Sequence, residues 1–185
     1  MGHPKPHAPT LLLLAAFSGS EAALAWARRR AEEAWGPVAL ESPRFRFADT
    51  DYYEATMGPA LDKVFFAFAK PFDPATMVEI KLQTNGWEEE YAALGTSDVR
   101  RPLNLDPGYL TPAKLVLAST KDHAHRVYLH DGIFAEVTLH YSKQCWQSRP
   151  WTFADYGRED YQQFFLECRR YLRKAEDGGR MKDEG

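Results

Sequence analysis

The chain has 185 residues, enough for one domain of ordinary size with its own apolar core. It is 44% apolar and 14% aromatic, which excludes a disordered chain. Lys and Arg number 23 against 26 Asp and Glu, a net charge of −3, and this near balance argues against a dedicated nucleic-acid binder.

Residues 1–9 are rich in His and Pro and are expected to form a flexible tail. The apolar run 11–17 is too short to span a bilayer. With Lys5 ahead of it the run has the outline of a secretory leader, but three prolines precede it and Ser18, Gly19, Ser20 and Glu21 follow with a capping-box spacing. A buried strand at 11–17 and a helix at 20–35 account for the segment better, which points to a cytoplasmic protein. Leu24, Ala27, Ala31 and Trp35 form the helix's apolar stripe, and Gly36 with Pro37 ends it. A short strand follows at 43–47, a polar loop at 49–59 and an apolar strand at 63–69. Asp73 and Pro74 supply an N-cap and a first-turn proline for a helix to about residue 94, with Met77, Ile80, Thr84, Trp87, Tyr91 and Leu94 as its core face.

Residues 101–106 read as a strand ended by a turn at Asp106, Pro107 and Gly108. Thr111 and Pro112 repeat the capping logic and predict a short helix reaching toward Lys121. Asp131 and Gly132, between the runs 125–130 and 133–141, predict a hairpin with a two-residue turn. A last helix spans 158–174, with Tyr161, Phe164, Phe165, Cys168, Tyr171 and Leu172 as its stripe, and residues 176–185 form a second flexible tail. Residues 10–175 thus make one domain. The element order predicts an α+β fold, a mainly antiparallel sheet with helices packed on one face, and a ferredoxin-like core with additions is the first topology to expect. The two cysteines, Cys145 and Cys168, form no C-x-x-C pair, and Cys168 reads as a buried small hydrophobe.

The string Asn104, Leu105, Asp106, Pro107, Gly108, Tyr109 and Leu110 resembles an uncharacterised bacterial family, the domain-of-unknown-function family 4416. Lys114, Lys121 and the segments 125–129 and 132–139 extend the likeness, as do Asp51, Tyr52 and Tyr53, Met57 with Gly58, and Lys81 with Thr84 and Asn85. The resemblance covers nearly the whole chain. It implies a small bacterial protein of unknown activity and brings no catalytic residues with it; His123 and His140 depart from the family's pattern. No phosphate loop, G-x-G-x-x-G, H-E-x-x-H or G-x-S-x-G motif occurs.

Four groups of residues carry chemistry. In the expected hairpin register His130 pairs with Ile133, so His123, His125, Glu136, Thr138 and His140 share one face. His125 is then a general acid/base oriented by Glu136, or the imidazoles and carboxylate hold a divalent metal, or the face is merely wet. Asn104, Asp106, Lys114 and Lys121 form a second group, with the two lysines on one helix face able to meet an anion, or else a turn beside a solvated face. Asp49 and Asp51 belong to an acidic, aromatic loop of the kind that lines pockets. Lys81 and Asn85 share a flank of one helix. Together these predict binding or turnover of a small anionic ligand, a phosphate compound or nucleotide. The alternatives are a non-enzymatic interaction or regulatory module, suggested by Tyr52, Tyr53, Trp146, Trp151 and Tyr156, and a divalent-metal-dependent hydrolase. The residues leave any cofactor and the oligomeric state open, and no membrane is expected as partner.

Overall fold

The structure, a computed structural model, describes residues 2–47 and 53–183, with side chains described as far as residue 175. Asp49, Asp51 and Tyr52 lie outside the described residues.

Strand β1 (Leu11–Ser18) is buried at every position, as an apolar run without alternation requires. It is the middle of the sheet, antiparallel to β4 (Leu61–Pro71) on one side and to β5 (Asn104–Leu110) on the other. Outside β4 lie β2 (Val38–Glu41) and β3 (Phe45–Phe47). Outside β5 follow β6 (Lys114–Ser119) and β8 (Phe134–Ser142), and β7 (Val127–Tyr128) and β9 (Cys145–Ser148) share the outer edge of β8. The order is β2-β4-β1-β5-β6-β8-β7.

The stretch β2-β4-β1-β5 is built from two interleaved β-α-β units. Helix α1 (Glu21–Trp35) links β1 to β2, and α3 (Met77–Ala93) links β4 to β5. That is the ferredoxin-like arrangement, here with an antiparallel extension. Helices α1 and α3 cover one face, where Trp35 meets Trp87 at 4.8 Å and Phe68 at 5.1 Å between ring centroids. The expected single helical layer is incomplete, because β1 and β4 are apolar on both sides. The second face is covered by α4 (Glu159–Asp183), whose Tyr161, Phe164, Phe165 and Cys168 pack on Leu13, Phe65 and Leu115. A short helix, α2 (Glu54–Met57), was not expected and seats Met57 against Phe17 and Phe47.

The helix starts obey their local signals. The Ser20 hydroxyl accepts from Ala23 N, and Asp73 Oδ1 accepts from Ala75 N to open a 3-10 turn ahead of α3. Two turn expectations fail. Asp106, Pro107 and Gly108 lie inside β5 and pair with Ala15, Leu14 and Leu13, because a full-length partner strand outweighs a local turn preference. Gly108 is needed there for closeness: a Cβ on it would stand 2.4 Å from Val116 O. Nor do residues 112–121 form a helix. Thr111 Oγ1 does accept from Ala113 N and Lys114 N, as a cap would, but Thr111 N also donates to Lys114 O, and the result is the tight β5–β6 turn.

The hairpin turn forms with a changed register. Asp131 and Gly132 take positive φ, 51° and 75°, and Ile133 N donates to His130 O. However, Leu129 N donates to Ile133 O, so one extra residue is accommodated beside the turn. Val127 therefore pairs with Ala135, not with Glu136. The regular strand spans only Val127 and Tyr128; before it, Arg126 N turns back to His123 O.

Candidate functional site

Strands β5 and β6 pair only where Gly108, Tyr109 and Leu110 meet Leu117, Val116 and Leu115. Pro107 can donate no rung, and among the described residues the stretch of β5 from Asn104 to Pro107 has β1 as its only ladder partner. β6 meanwhile continues along β8 to Ser119. The divergence opens a cleft of about 820 Å³, bounded by these two strands, by α3, and by residues 153–156 ahead of α4.

Register supplies the cleft's polar side chains. Phe45, Lys63, Phe17 and Asn104 make one row across β3, β4, β1 and β5, and directly opposed residues share a face. Asp106 stands opposite Ala15 on the same side, and Glu136 opposite Leu117. Lys81 arrives from the other side, where α3 lies.

Each buried cation in the cleft has a carboxylate. Lys63 Nζ bonds Asp155 Oδ2 at 2.6 Å inside a box of rings, 4.6 Å from the Tyr156 centroid, 5.1 Å from Phe47 and 5.2 Å from Phe17. Lys81 Nζ donates to Leu105 O at 3.0 Å and lies 3.4 Å from Asp106 Oδ1. Arg126 Nε donates to Glu136 Oε2 at 2.7 Å, and its Nη1 to Ser119 Oγ and Lys121 O. A chain of hydrogen bonds joins the α3 side: Arg101 donates to Asn104 Oδ1 and Glu88 Oε2, Asn104 donates to Asp106 Oδ2, and Leu105 N donates to Glu88 Oε1. Burial holds the Glu88 carboxyl above the ordinary carboxylate range, with Lys81 opposing that rise.

Glu136 is a hub. Its Oε2 takes His125 Nε2 at 3.1 Å besides Arg126, and Thr138 donates to Oε1 at 3.0 Å. The contact between His125 and Glu136 expected from the sequence is present, although the register that predicted it is not. Because residues 123–126 turn rather than extend, strand alternation does not govern His125. Its ring stacks between His123, at 5.7 Å, and Trp151, at 5.5 Å.

Of the expected site residues, Lys81, Asn85, Asn104, Asp106, Lys121, His123 and Glu136 line the cleft. His125 stands behind Glu136 and does not line it. Lys114 opens β6 opposite His140, at the other end of the strand from Lys121, so the two lysines do not share a face of a helix. His140 lies four residues along β8 from Glu136, about 13 Å at strand rise, and the four metal candidates are not gathered. Among the described residues no three His, Cys, Asp or Glu side chains stand close enough to hold a metal ion. Of the aromatics read as surface groups, Trp146 and Tyr156 are buried.

Sequence reasoning missed Lys63, Glu88, Arg101, Arg126 and Asp155. The signal for Lys63 was available: it is the one charge in the apolar segment 63–69 read as a strand, and the structure buries it. Tyr156 was misread. It lines the cleft, and its hydroxyl is buried with no hydrogen-bond partner among the described residues.

A ferredoxin-like α+β sheet with an added helix, opened between two strands into a charged cleft, is the class this chain defines. Its residues 8–171 match the family described as domain of unknown function (DUF4416), and the chain belongs to that family. No curated protein and no solved structure matches it. No helix among the described residues is long and apolar enough to cross a membrane.

Proposed function

We propose that this protein binds a small anionic ligand, a phosphate compound or nucleotide, in the cleft between β5 and β6. The observation that carries the reading is the convergence of six cationic side chains on one concave site: Lys63, Lys81, Arg100, Arg101, Lys121 and Arg126. Four of them are matched by the carboxylates of Asp155, Asp106, Glu88 and Glu136. Arg100, exposed at the rim, has no partner among the described residues. A guanidinium of this kind can take a phosphate in bidentate fashion. The half-buried Asn85 adds a neutral donor on the same wall. His125 supports Glu136 from behind, so binding is favoured over turnover that uses this imidazole. The free thiols of Cys145 and Cys168 accord with a cytoplasmic setting.

Thermal melting in the presence of inorganic phosphate, phosphomonoesters and nucleotides tests the reading. A ligand at a hundred times its Kd should add about 2.7 kcal/mol of stability, which for a chain of this size is a rise of about 5–10 °C. Arg100→Ala should weaken that ligand about tenfold, and Glu89→Gln, which removes an exposed carboxylate from the rim, should tighten it about twofold. If no phosphate compound raises the melting temperature, the reading fails.

A further inference from the structure

A ladder of parallel rings ends at the cleft. Trp151, His125 and His123 stack in that order, with centroids 5.5 Å and 5.7 Å apart and planes tilted by only 9° and 10°. Near-parallel rings at this separation are in the offset arrangement that aromatic groups prefer. The first two rings are pinned by their polar edges: Trp151 Nε1 donates to Val137 O, and His125 Nε2 meets Glu136 Oε2 at 3.1 Å. His123 is different. It is exposed, and its ring nitrogens have no hydrogen bond among the described residues. Only this last ring of the three lines the cleft, so the ladder advances to the cleft and stops there. One face of the imidazole lies on His125, and among the described residues no ring covers the other. Arg126 gathers cations and rings on this wall. Its N donates to His123 O, its Nη1 donates to Lys121 O, and its guanidinium stands 5.9 Å from the ring of Phe153, which lines the cleft and is 49% exposed.

We infer that the ligand carries a planar aromatic ring that stacks on the open face of His123, with its anionic group taken by the cations of the cleft. Of the compounds admitted by the anionic-ligand reading, on which this inference rests, it selects the ring-bearing ones, aryl phosphates and nucleotides, over inorganic phosphate and sugar phosphates. A ring in that position covers apolar surface of His123 that otherwise meets water, and Phe153 offers a second apolar surface on the same wall. Because Trp151 and His125 are held by their own hydrogen bonds, the platform stands before the ligand arrives, and little freedom is lost on binding. Stacking accepts any flat ring, since each has a π-face, so the selection is for a class of ligand rather than for one base.

Calorimetric titration of the full chain with two pairs of probes tests it: methyl phosphate against phenyl phosphate, and ribose phosphate against adenosine monophosphate. The pairs place a ring at a short and at a long distance from the phosphate. In at least one pair the ring-bearing member should bind about tenfold more tightly, the usual worth of one stacked ring. In His123→Ala that ratio should fall to about one. In His123→Phe, which keeps a flat ring and removes the nitrogens, it should persist. Both variants change an exposed side chain that makes no hydrogen bond among the described residues, so both should melt close to the parent, which verifies folding. A ratio that survives in His123→Ala overturns the assignment. So does one lost as fully in His123→Phe as in His123→Ala, because an imidazole nitrogen would then be the recognising group. If the ringless phosphates bind and neither ring-bearing partner binds more tightly, the assignment is overturned and the anionic-ligand reading stands. If none of the four compounds binds, both are overturned.

Discussion

Arg126 and Glu136 are each almost fully buried, and their pairing is the costliest to break. Removing one partner of such a pair strands a charge away from water, typically at about 3–5 kcal/mol. Glu136→Ala should therefore lower the urea-derived stability by that amount. His125→Ala, which leaves the Arg126 bond and the Thr138 bond in place, should cost about 1 kcal/mol. Equal losses in the two variants would show that the hub is not centred on Arg126. Glu88 makes a prediction in pH. Its folded carboxyl holds a proton to higher pH than the usual 4.5, so between those values the folded state binds more protons than the unfolded. Stability must then fall as pH rises through that window, and the loss persists above it. Glu88→Gln, whose amide oxygen can still accept from Leu105 N, should remove this fall. Urea midpoints should then favour the variant more at pH 7 than at pH 4. At this scale the sequence was half legible. Lys81, Asn104, Asp106, Lys121 and Glu136 carry their polarity openly in a family-like string and reach the cleft. Lys63 and Asp155 are far apart in the chain and meet only through tertiary folding. Arg126 was missed because it lies just before the regular strand Val127–Tyr128, where the chain turns back to His123 O and strand alternation does not place its side chain.

Among the elements, the three long helices α1, α3 and α4 were legible because their signals are local and redundant: a cap residue, a stripe or a stop. Turn signals misled where a partner strand was available. The pair Asp106 and Pro107 looks like a turn until β1 lies beside it, and Thr111 with Pro112 looks like a helix start until Lys114 closes a hairpin. Strands β2 and β9 went unseen because short edge strands carry little periodicity of their own. The β5–β6 contact yields an element-level prediction. Gly108→Ala drives a methyl group against the Val116 carbonyl, backbone that cannot move aside without opening the ladder. It should cost about 2 kcal/mol or more and raise amide exchange in β5 and β6 before any other strand. Exchange that rises uniformly across the sheet would contradict this view of Gly108.

For the whole molecule, α4 decides whether the second face of the sheet is sealed. Cys168 lies on its sheet-facing side, and burial raises its thiol well above the ordinary range, so that almost no thiolate exists near neutral pH. Cys145 is exposed on the outer edge. Iodoacetamide should modify one thiol per chain at once and the second only at the rate of global opening, accelerating in step with urea. If Cys168 reacts as fast as Cys145 in the native protein, α4 is not the fixed cover described above. Overall topology was the most legible level, since an antiparallel sheet of ferredoxin-like order follows from the succession of elements. The helix on the second face was not, because a strand apolar on both sides does not say what will cover it.

The position of β1 also governs the order in which the molecule can be made. It is the first of the described strands in chain order, yet its partners are the fourth and fifth. An unbroken apolar segment therefore waits unpaired until β4 is complete at residue 71 and keeps one edge open until β5 is complete at residue 110, and both pairings are distant in sequence and slow to close. During translation, the segment 11–17 is the natural place for a chaperone to hold this chain, and the place where aggregation begins if none does.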